Sequence, residues 1–510
     1  MRNKSQMKYG ALISYVLIVG NALFGLLVTP FVLKTLGTSS YGVYKTVGSI
    51  SSSLLVLDLG IGGTLMRYIA KYRANGQDEK IGPFVSMMLC EMGILIPVVV
   101  AAELVLYSQL DSIYGANFSP QELLLAKQVY AVLSVSVVFT IVENFLNGII
   151  TGYNQFILGN GLKLLKLTTR ILLIYFVLPA FPNAVFLVWI QLGLSMAGTL
   201  GQLLYVVRKI RIPRVFAREP WEKGVFKESF LYTFLMFLTA LAVQVNNNLD
   251  NVIIGSFCGA EKVTVYSFGL VIFGMFEQLS TSISGVALPT VSRIVAREDW
   301  HAEIQKFIIR AGRVQFALLG AAVMGFAVLG KEFLGLWLGE GFDDVYIIVL
   351  ILMIPSLFEL CVNVCLAVLR AKNMLGFRTG ILVLSTLLNL LVSIAGIHRW
   401  GYFSAALGTA ASFLVGSLII MNWYYYRKFG FNMFSIYGGI LNRTWLCLLA
   451  AAAGTWISFR FLHGSWLAFA ANVAIFMAVY AAAMLAWGFT QQERAQVLSI
   501  LRKFSRKQKR

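Results

Sequence analysis

The chain has 510 residues, of which 58% are hydrophobic and only 13% charged, so it has no room for a sizeable soluble domain. A formal net charge of +19 would point a soluble chain toward nucleic acid, but here the charge is parcelled out between long apolar stretches, and nucleic acid is excluded as a partner. Five cysteines without metal spacing, three scattered histidines, and no nucleophile elbow or phosphate loop speak against a metal centre or an enzyme.

The first apolar stretch, 10–33, follows Arg2, Lys4 and Lys8. It is too long for the core of a signal peptide and lacks a small-residue cleavage site, so it is expected to stay as a first span. Thirteen more follow, at 44–66, 82–108, 125–151, 162–182, 183–207, 229–255, 264–289, 306–334, 345–369, 378–397, 401–426, 443–462 and 466–488. Each reaches the roughly 20 residues that a helix needs to cross about 30 Å of hydrocarbon. The fold class expected is therefore all-α integral membrane, with about fourteen spans.

Basic residues fall in alternate gaps. With the N-terminus inside, 34 of the 42 Lys and Arg lie at inside positions, seven lie outside (Lys34, Lys45, Lys127, Lys262, Lys331, Arg399 and Arg460), and Arg170 lies within a span. This bias toward one side predicts that both termini are cytoplasmic.

The most hydrophilic gap, 208–228, separates the first twelve spans six and six. Three local matches recur in the same order across it. Gly37-x3-Tyr41-x-Val43-Tyr44 answers to Gly259-x3-Val263-x-Val265-Tyr266, and Arg67-x3-Lys71 to Arg293-x3-Arg297. Glu143-x3-Asn147 answers to Glu359-x3-Asn363, and the three offsets are 222, 226 and 216. Six spans return the chain to its starting side, so the halves form a parallel repeat, of the kind whose binding sites lie between the bundles near the midplane. The organisation expected is a six-helix lobe (1–207), a basic cytoplasmic linker (208–228), a second lobe (229–427), an appended hairpin (428–488) and a basic tail (489–510).

The segments Leu36–Tyr44, Leu57-Asp-Leu-Gly-Ile-Gly-Gly63 and Arg67-Tyr-Ile-Ala-Lys-Tyr72 resemble the opening of the polysaccharide repeat-unit (Wzx-like) flippases, and the 6+6+2 layout resembles theirs over the whole chain. This branch belongs to the multidrug/oligosaccharidyl-lipid/polysaccharide exporter superfamily. The resemblance implies alternating access between two lobes and a polyprenyl-pyrophosphate-linked oligosaccharide moved from the inner to the outer leaflet of the cell membrane. It also implies membrane lipids as surroundings and leaves room for polysaccharide assembly proteins as partners. A monomer without cofactor is expected, with Na+ or H+ left open as the coupling ion.

Charges inside the bilayer are costly and ask for a reason. Lys163, Lys166 and Arg170 in the fifth span share one helix face, with Arg170 about 10 Å deeper than Lys163 at 1.5 Å per residue. Lys306, Arg310 and Arg313 repeat the pattern in the ninth. Either the stripes line a cavity that takes a pyrophosphate head group, for which Arg170, Lys166, Lys163, Arg310 and Arg313 are the candidates, or the long side chains snorkel to the inner headgroups. Arg170 is too deep to snorkel easily, and its alternative is a structural ion pair. A polar lumen is expected from Asn247, Asp250, Asn251 and Glu277. Glu143 with Asn147, and Glu359 with Asn363, either hold helices together or serve as counter-ions or coupling carboxylates.

Two other functions were weighed on the residues. A cation antiporter of the same superfamily commonly carries an acid in the first span, and 10–33 has none. A membrane glycan polymerase needs catalytic groups in a large outside loop, and the largest such gap, 109–124, offers only Asp111 and Glu122.

Overall fold

The computed structural model describes residues 2–58, 60–212, 241, 243–244, 248–284, 287–372, 374–491 and 493–495. All elements among the described residues are helical. The first six spans are α1 (Leu12–Leu36), α2 (Thr38–Ala74), α3 (Asp78–Tyr114), α4 (Pro120–Gly152), α5 (Phe156–Val177) and α6 (Ala184–Ile210). After the linker come α7 (248–258), α8 (Ala260–Ser284), α9 (Trp300–Leu338), α10 (Asp343–Cys361) and α11 (Gly376–Trp400). They are followed by α12 (Phe403–Phe429), α13 (Met433–Phe459) and α14 (Trp466–Gly488).

Twelve of the fourteen are long and apolar enough to cross a membrane. The other two are α5, which carries three cations, and α7, the described end of the stretch at 229–255. The protein is an all-α, multi-pass membrane protein. Of the basic linker only 208–212 is described, and of the tail only 489–491 and 493–495.

The chain divides into two compact units, residues 1–267 with 393–405, and 268–392 with 406–510. In the first, α4 is the hub, packed against α2, α3 and α6, while α1 lies along α5. Without a hydrophobic drive between helices in lipid, small residues and interhelical hydrogen bonds do the joining. Gly62 of α2 and Gly148 of α4 bring two backbones together, and a Cβ on Gly148 would come within 2.8 Å of the Gly62 Cα. Asn160 of α5 donates to the Gly10 carbonyl (3.0 Å) and to Ser14 Oγ (2.8 Å). Four side chains tie 38–52 of α2 and the α3–α4 loop to 244–264: Thr264 donates to the Thr38 carbonyl (2.6 Å), Asn251 to Ser49 Oγ (2.9 Å), Gln244 to the Ser52 carbonyl (2.8 Å) and Asn117 to the Ser256 carbonyl (2.6 Å). Where α2 meets α8 the fit excludes any side chain, since a Cβ on Gly42 would overlap the Ala260 carbonyl oxygen.

Two helices of this unit are broken for visible reasons. In α1 a π turn at Phe24–Val28 precedes Pro30, whose missing N–H interrupts the i→i−4 ladder. In α2 a 3₁₀ turn at Leu55–Asp58 gives way to Gly60 at φ 67, a left-handed conformation that glycine adopts without strain. The glycines there, expected to ease a helix end, thus sit at a break inside the span.

In the second unit α9 is a 39-residue rod along which α13 and α14 pack. At 1.5 Å per residue it is about 58 Å long, well beyond the hydrocarbon thickness. Tyr480 of α14 donates to the Ala317 carbonyl of α9 (2.8 Å), and a Cβ on Gly320 would meet Leu448 of α13 at 2.8 Å. The last helix ends in a π turn at Met484–Gly488, and α10 stops at Cys361 before a short helix, Val364–Ala371.

Candidate functional site

In the first unit the cations of α5 meet two different surroundings. Lys166 Nζ donates to Glu143 Oε2 at 2.7 Å and to Ser195 Oγ at 3.2 Å, which bridges α5 to α4 and α6. Its charge is matched, and Glu143 is only 13% exposed. Lys163 is exposed at the start of the same face. The counter-ion alternative raised for Glu143 is realised in this contact.

Arg170, one turn deeper, has no carboxylate within ion-pair distance among the described residues. Its Nη2 donates a long hydrogen bond to the Tyr44 hydroxyl (3.4 Å), its guanidinium lies 5.0 Å from the Phe24 ring centroid, and its Nε is buried without a partner. Phe24 opens the π turn forced by Pro30, so an irregularity of α1 presents the ring on which the guanidinium rests.

Lys45 of α2 is within electrostatic reach of Arg170 and lies over the Tyr41 ring at 5.5 Å. It too forms no ion pair among the described residues. Two unmatched cations framed by Phe24, Tyr41 and Tyr44 form a site suited to a phosphate-bearing anion, because repulsion and desolvation are relieved when the anion arrives. Lys45 was missed in the sequence because it begins a span and was counted with the outside charges. The available signal is that it follows directly on the Gly37–Tyr44 motif.

The remaining candidates are placed as follows. Asp250 accepts a hydrogen bond from the Tyr266 hydroxyl (2.6 Å), and Asn251 bonds Ser49 and accepts from Ser267 (3.5 Å). Both are buried, at 3% and 6% exposure, and take part in interhelical packing of the first unit. Asn247 lies outside the described residues. Asn147 has a buried Oδ1 without a partner, close to Gly159 of α5.

In the second unit Glu277 and Glu359 lie within electrostatic reach of each other, and Glu359 accepts from Ser417 with Arg378 nearby. Asn363 follows the end of α10, so this copy of the Glu-x3-Asn motif straddles a helix break while the first copy lies inside α4.

The second cationic stripe faces a cavity of about 710 Å³ at the start of α9, lined by Lys306, Arg310 and Arg313 together with Arg293, Arg297, Glu303 and Glu493. Arg297 pairs with Glu303 at 2.7 Å. Arg313 is deeply engaged: Nε and Nη2 grip Glu493 (2.9 and 3.1 Å), Nη1 donates to the Gly439 carbonyl (3.2 Å), and Nη2 to the Gly488 carbonyl (2.8 Å). One guanidinium thus clasps α9, α13 and the segment after α14. Burial pushes the Glu493 carboxyl up, but hydrogen bonds from Arg313 and Thr490 outweigh it and hold the group below the usual carboxylate value.

A bundle of apolar helices with a buried cation pair and matched charges elsewhere defines a multi-pass membrane protein built to admit an anion. The family described as "Polysaccharide biosynthesis protein" matches residues 8–295, more than half of the chain, and the protein belongs to that family. Among curated relatives, the "Probable flippase AglR" of Haloferax volcanii is 26% identical, over 34% of this chain and 36% of that protein. The chain therefore spans about a third of that relative's length in the match. The "Uncharacterized membrane protein EpsK" of Bacillus subtilis is 21% identical over 93% of this chain and 94% of its own. Among solved structures, "Lipid II flippase MurJ, inward closed conformation" superposes with a TM-score of 0.70 at 14% identity, covering 93% of this chain and 97% of that one. An inward-facing multidrug resistance transporter of the MATE family gives 0.62 at 16% identity over 80% and 94%. These likenesses establish a shared transporter fold.

Proposed function

We propose that the protein is a flippase that moves a lipid-linked oligosaccharide from the inner to the outer leaflet of the cell membrane during surface polysaccharide synthesis, with both termini cytoplasmic. The observation that carries the reading is the cation pair Arg170–Lys45, which lies within the family-matched half and has no carboxylate to neutralise it. A pyrophosphate head group supplies the missing charge, with Arg170 forking onto its oxygens and Lys45 adding a point charge. Lys166, already matched by Glu143, serves at the entrance of the same helix face. The names of the relatives, two of them called flippases, support the class of cargo.

No covalent bond is made or broken in such a step, so the protein acts as a transporter. Alternating access requires the hydrogen bonds joining α2 to α7 and α8 to part and re-form. They lie toward the end of α2 that the charge bias puts outside, which supports a state closed on that face. Coupling to Na+ or H+ would draw on Glu277, Glu359 or Asp250.

The test is complementation of a flippase-null strain together with mass spectrometry of the purified protein. Arg170→Ala abolishes complementation, Arg170→Lys keeps part of it, and a lipid-linked sugar co-purifies with the wild type but not with Arg170→Ala. Full activity of the alanine variant at normal expression would end the assignment. Co-purification of a cationic drug instead of a glycolipid would favour an antiporter.

A further inference from the structure

The cavity at the start of α9 is absorbed neither by the head-group site nor by the clasp. Its lining holds five cations against two carboxylates, a surplus of three positive charges. The carboxylates are already engaged, Glu303 by Arg297 and Glu493 by Arg313. Arg293 and Lys306 are exposed at its mouth.

The face of α9 that starts as this stripe continues without a break. Lys306, Arg310 and Arg313 are followed at helical spacing by Ala317, Ala321 and Gly325, which form the floor of a second, almost wholly apolar cavity of about 390 Å³. Its far wall is Phe476, Met477 and Tyr480 of α14. From Ala317 to Phe333 the groove runs about 24 Å at 1.5 Å per residue, enough for the chain of a lipid in one leaflet of a hydrocarbon core about 30 Å thick. Small residues on the floor leave room that larger side chains would fill. Polar and apolar cavities in series on one helix face have the layout of a single amphiphile, anionic at one end.

We infer that this groove holds an anionic phospholipid that is bound but not transported, with its phosphate among Arg293, Lys306 and Arg310 and one acyl chain along α9 and α14. The ligand chemistry is a phosphate diester. A lipid is favoured over a free phosphate because the apolar cavity begins one helical turn beyond Arg313. The site is independent of the Arg170–Lys45 pair, and it places a lipid against the clasp that holds the appended hairpin.

The experiment uses the full-length protein in detergent, with melting temperature and native mass spectrometry as readouts. Phosphatidylglycerol raises the melting temperature and survives as a one-to-one adduct, while phosphatidylcholine and millimolar inorganic phosphate do neither. Each cation near an anionic headgroup contributes about fivefold in affinity, so Arg293→Gln with Lys306→Gln weakens phosphatidylglycerol about 25-fold. Ala321→Trp, which fills the apolar cavity, weakens it as well. Should that variant fail to fold, the surface double variant decides alone. Equal stabilisation by inorganic phosphate would make this a free-anion site and overturn the lipid assignment. Unchanged phosphatidylglycerol affinity in the double variant, or equal binding of phosphatidylcholine, would overturn the site itself.

Discussion

The contact between Lys166 and Glu143 allows the structural charges of α5 to be separated from the functional ones by stability alone. The two groups are 2.7 Å apart, and Glu143 is 13% exposed against 30% for Lys166. Replacing Lys166 by Met leaves a carboxylate among α4, α5 and α6 with only Ser and backbone groups to answer it. Removing one member of a buried pair costs about 3–5 kcal/mol, and the partial exposure of Lys166 puts the expected loss at the lower end, about 3 kcal/mol. That is roughly a hundredfold in the unfolding equilibrium.

Glu143→Gln leaves an ammonium in the same place and loses a similar amount. The double variant Lys166→Met with Glu143→Gln leaves no charge behind and returns to within about 1 kcal/mol of wild type. Unfolding in mixed sodium dodecyl sulfate and dodecyl maltoside micelles, followed by tryptophan fluorescence, measures all four corners of the cycle. Losses that simply add in the double variant would refute the pairing and the reasoning from it. Arg170→Gln provides the contrast: no carboxylate depends on Arg170, so stability stays within about 1 kcal/mol while complementation is lost.

Further outcomes are expected. Arg313→Gln leaves Glu493 and two carbonyls without their donor and lowers the melting temperature at pH 7. Because the Glu493 carboxyl titrates below its ordinary 4.5, the clasp contributes fully above that value and is lost as pH falls through the lower folded one. Melting curves of wild type and Arg313→Gln should therefore converge in acid, and a gap that persists well below pH 4.5 would contradict the clasp. Gly42→Val places a side chain against the Ala260 carbonyl and should reduce both stability and complementation, whereas Gly48→Val, with open space around it, should do neither. Cysteines at Thr38 and Thr264 joined by a short bifunctional reagent should stop transport, and a crosslinked protein that still complements would show that α2 and α8 need not separate.

The helices were legible because each must satisfy its own backbone in lipid, so apolar length alone locates it. The α5 stripe was legible for the same reason, since three cations at i, i+3 and i+7 cannot be accidental surface in a span. What hydropathy could not supply was the partner. Glu493 stands 180 positions from Arg313, and nothing local to either residue announces the clasp. Lys45 was hidden by its place at a span boundary, where a single charge counts equally well for the adjoining gap. The break in α2 was half legible, as the glycines at 60, 62 and 63 mark a flexible point but not whether it ends a span or bends one. Asp250 and Asn251 read as lumen polar groups because period alone does not say which face of α7 meets α2.

The clasp at Arg313 also bears on how such a chain could have been assembled. Helices α13 and α14 have no counterpart in the repeated halves, yet the residue that receives them sits inside α9, in the older part of the design. A chain without the hairpin would carry a guanidinium facing lipid with nothing to answer it, and a chain with the hairpin but an apolar residue at 313 would leave Glu493 stranded. Neither element is neutral without the other. The hairpin is therefore not a detachable module: deletion experiments that stop at residue 428 need a compensating apolar substitution at 313 before loss of function can be attributed to the missing helices.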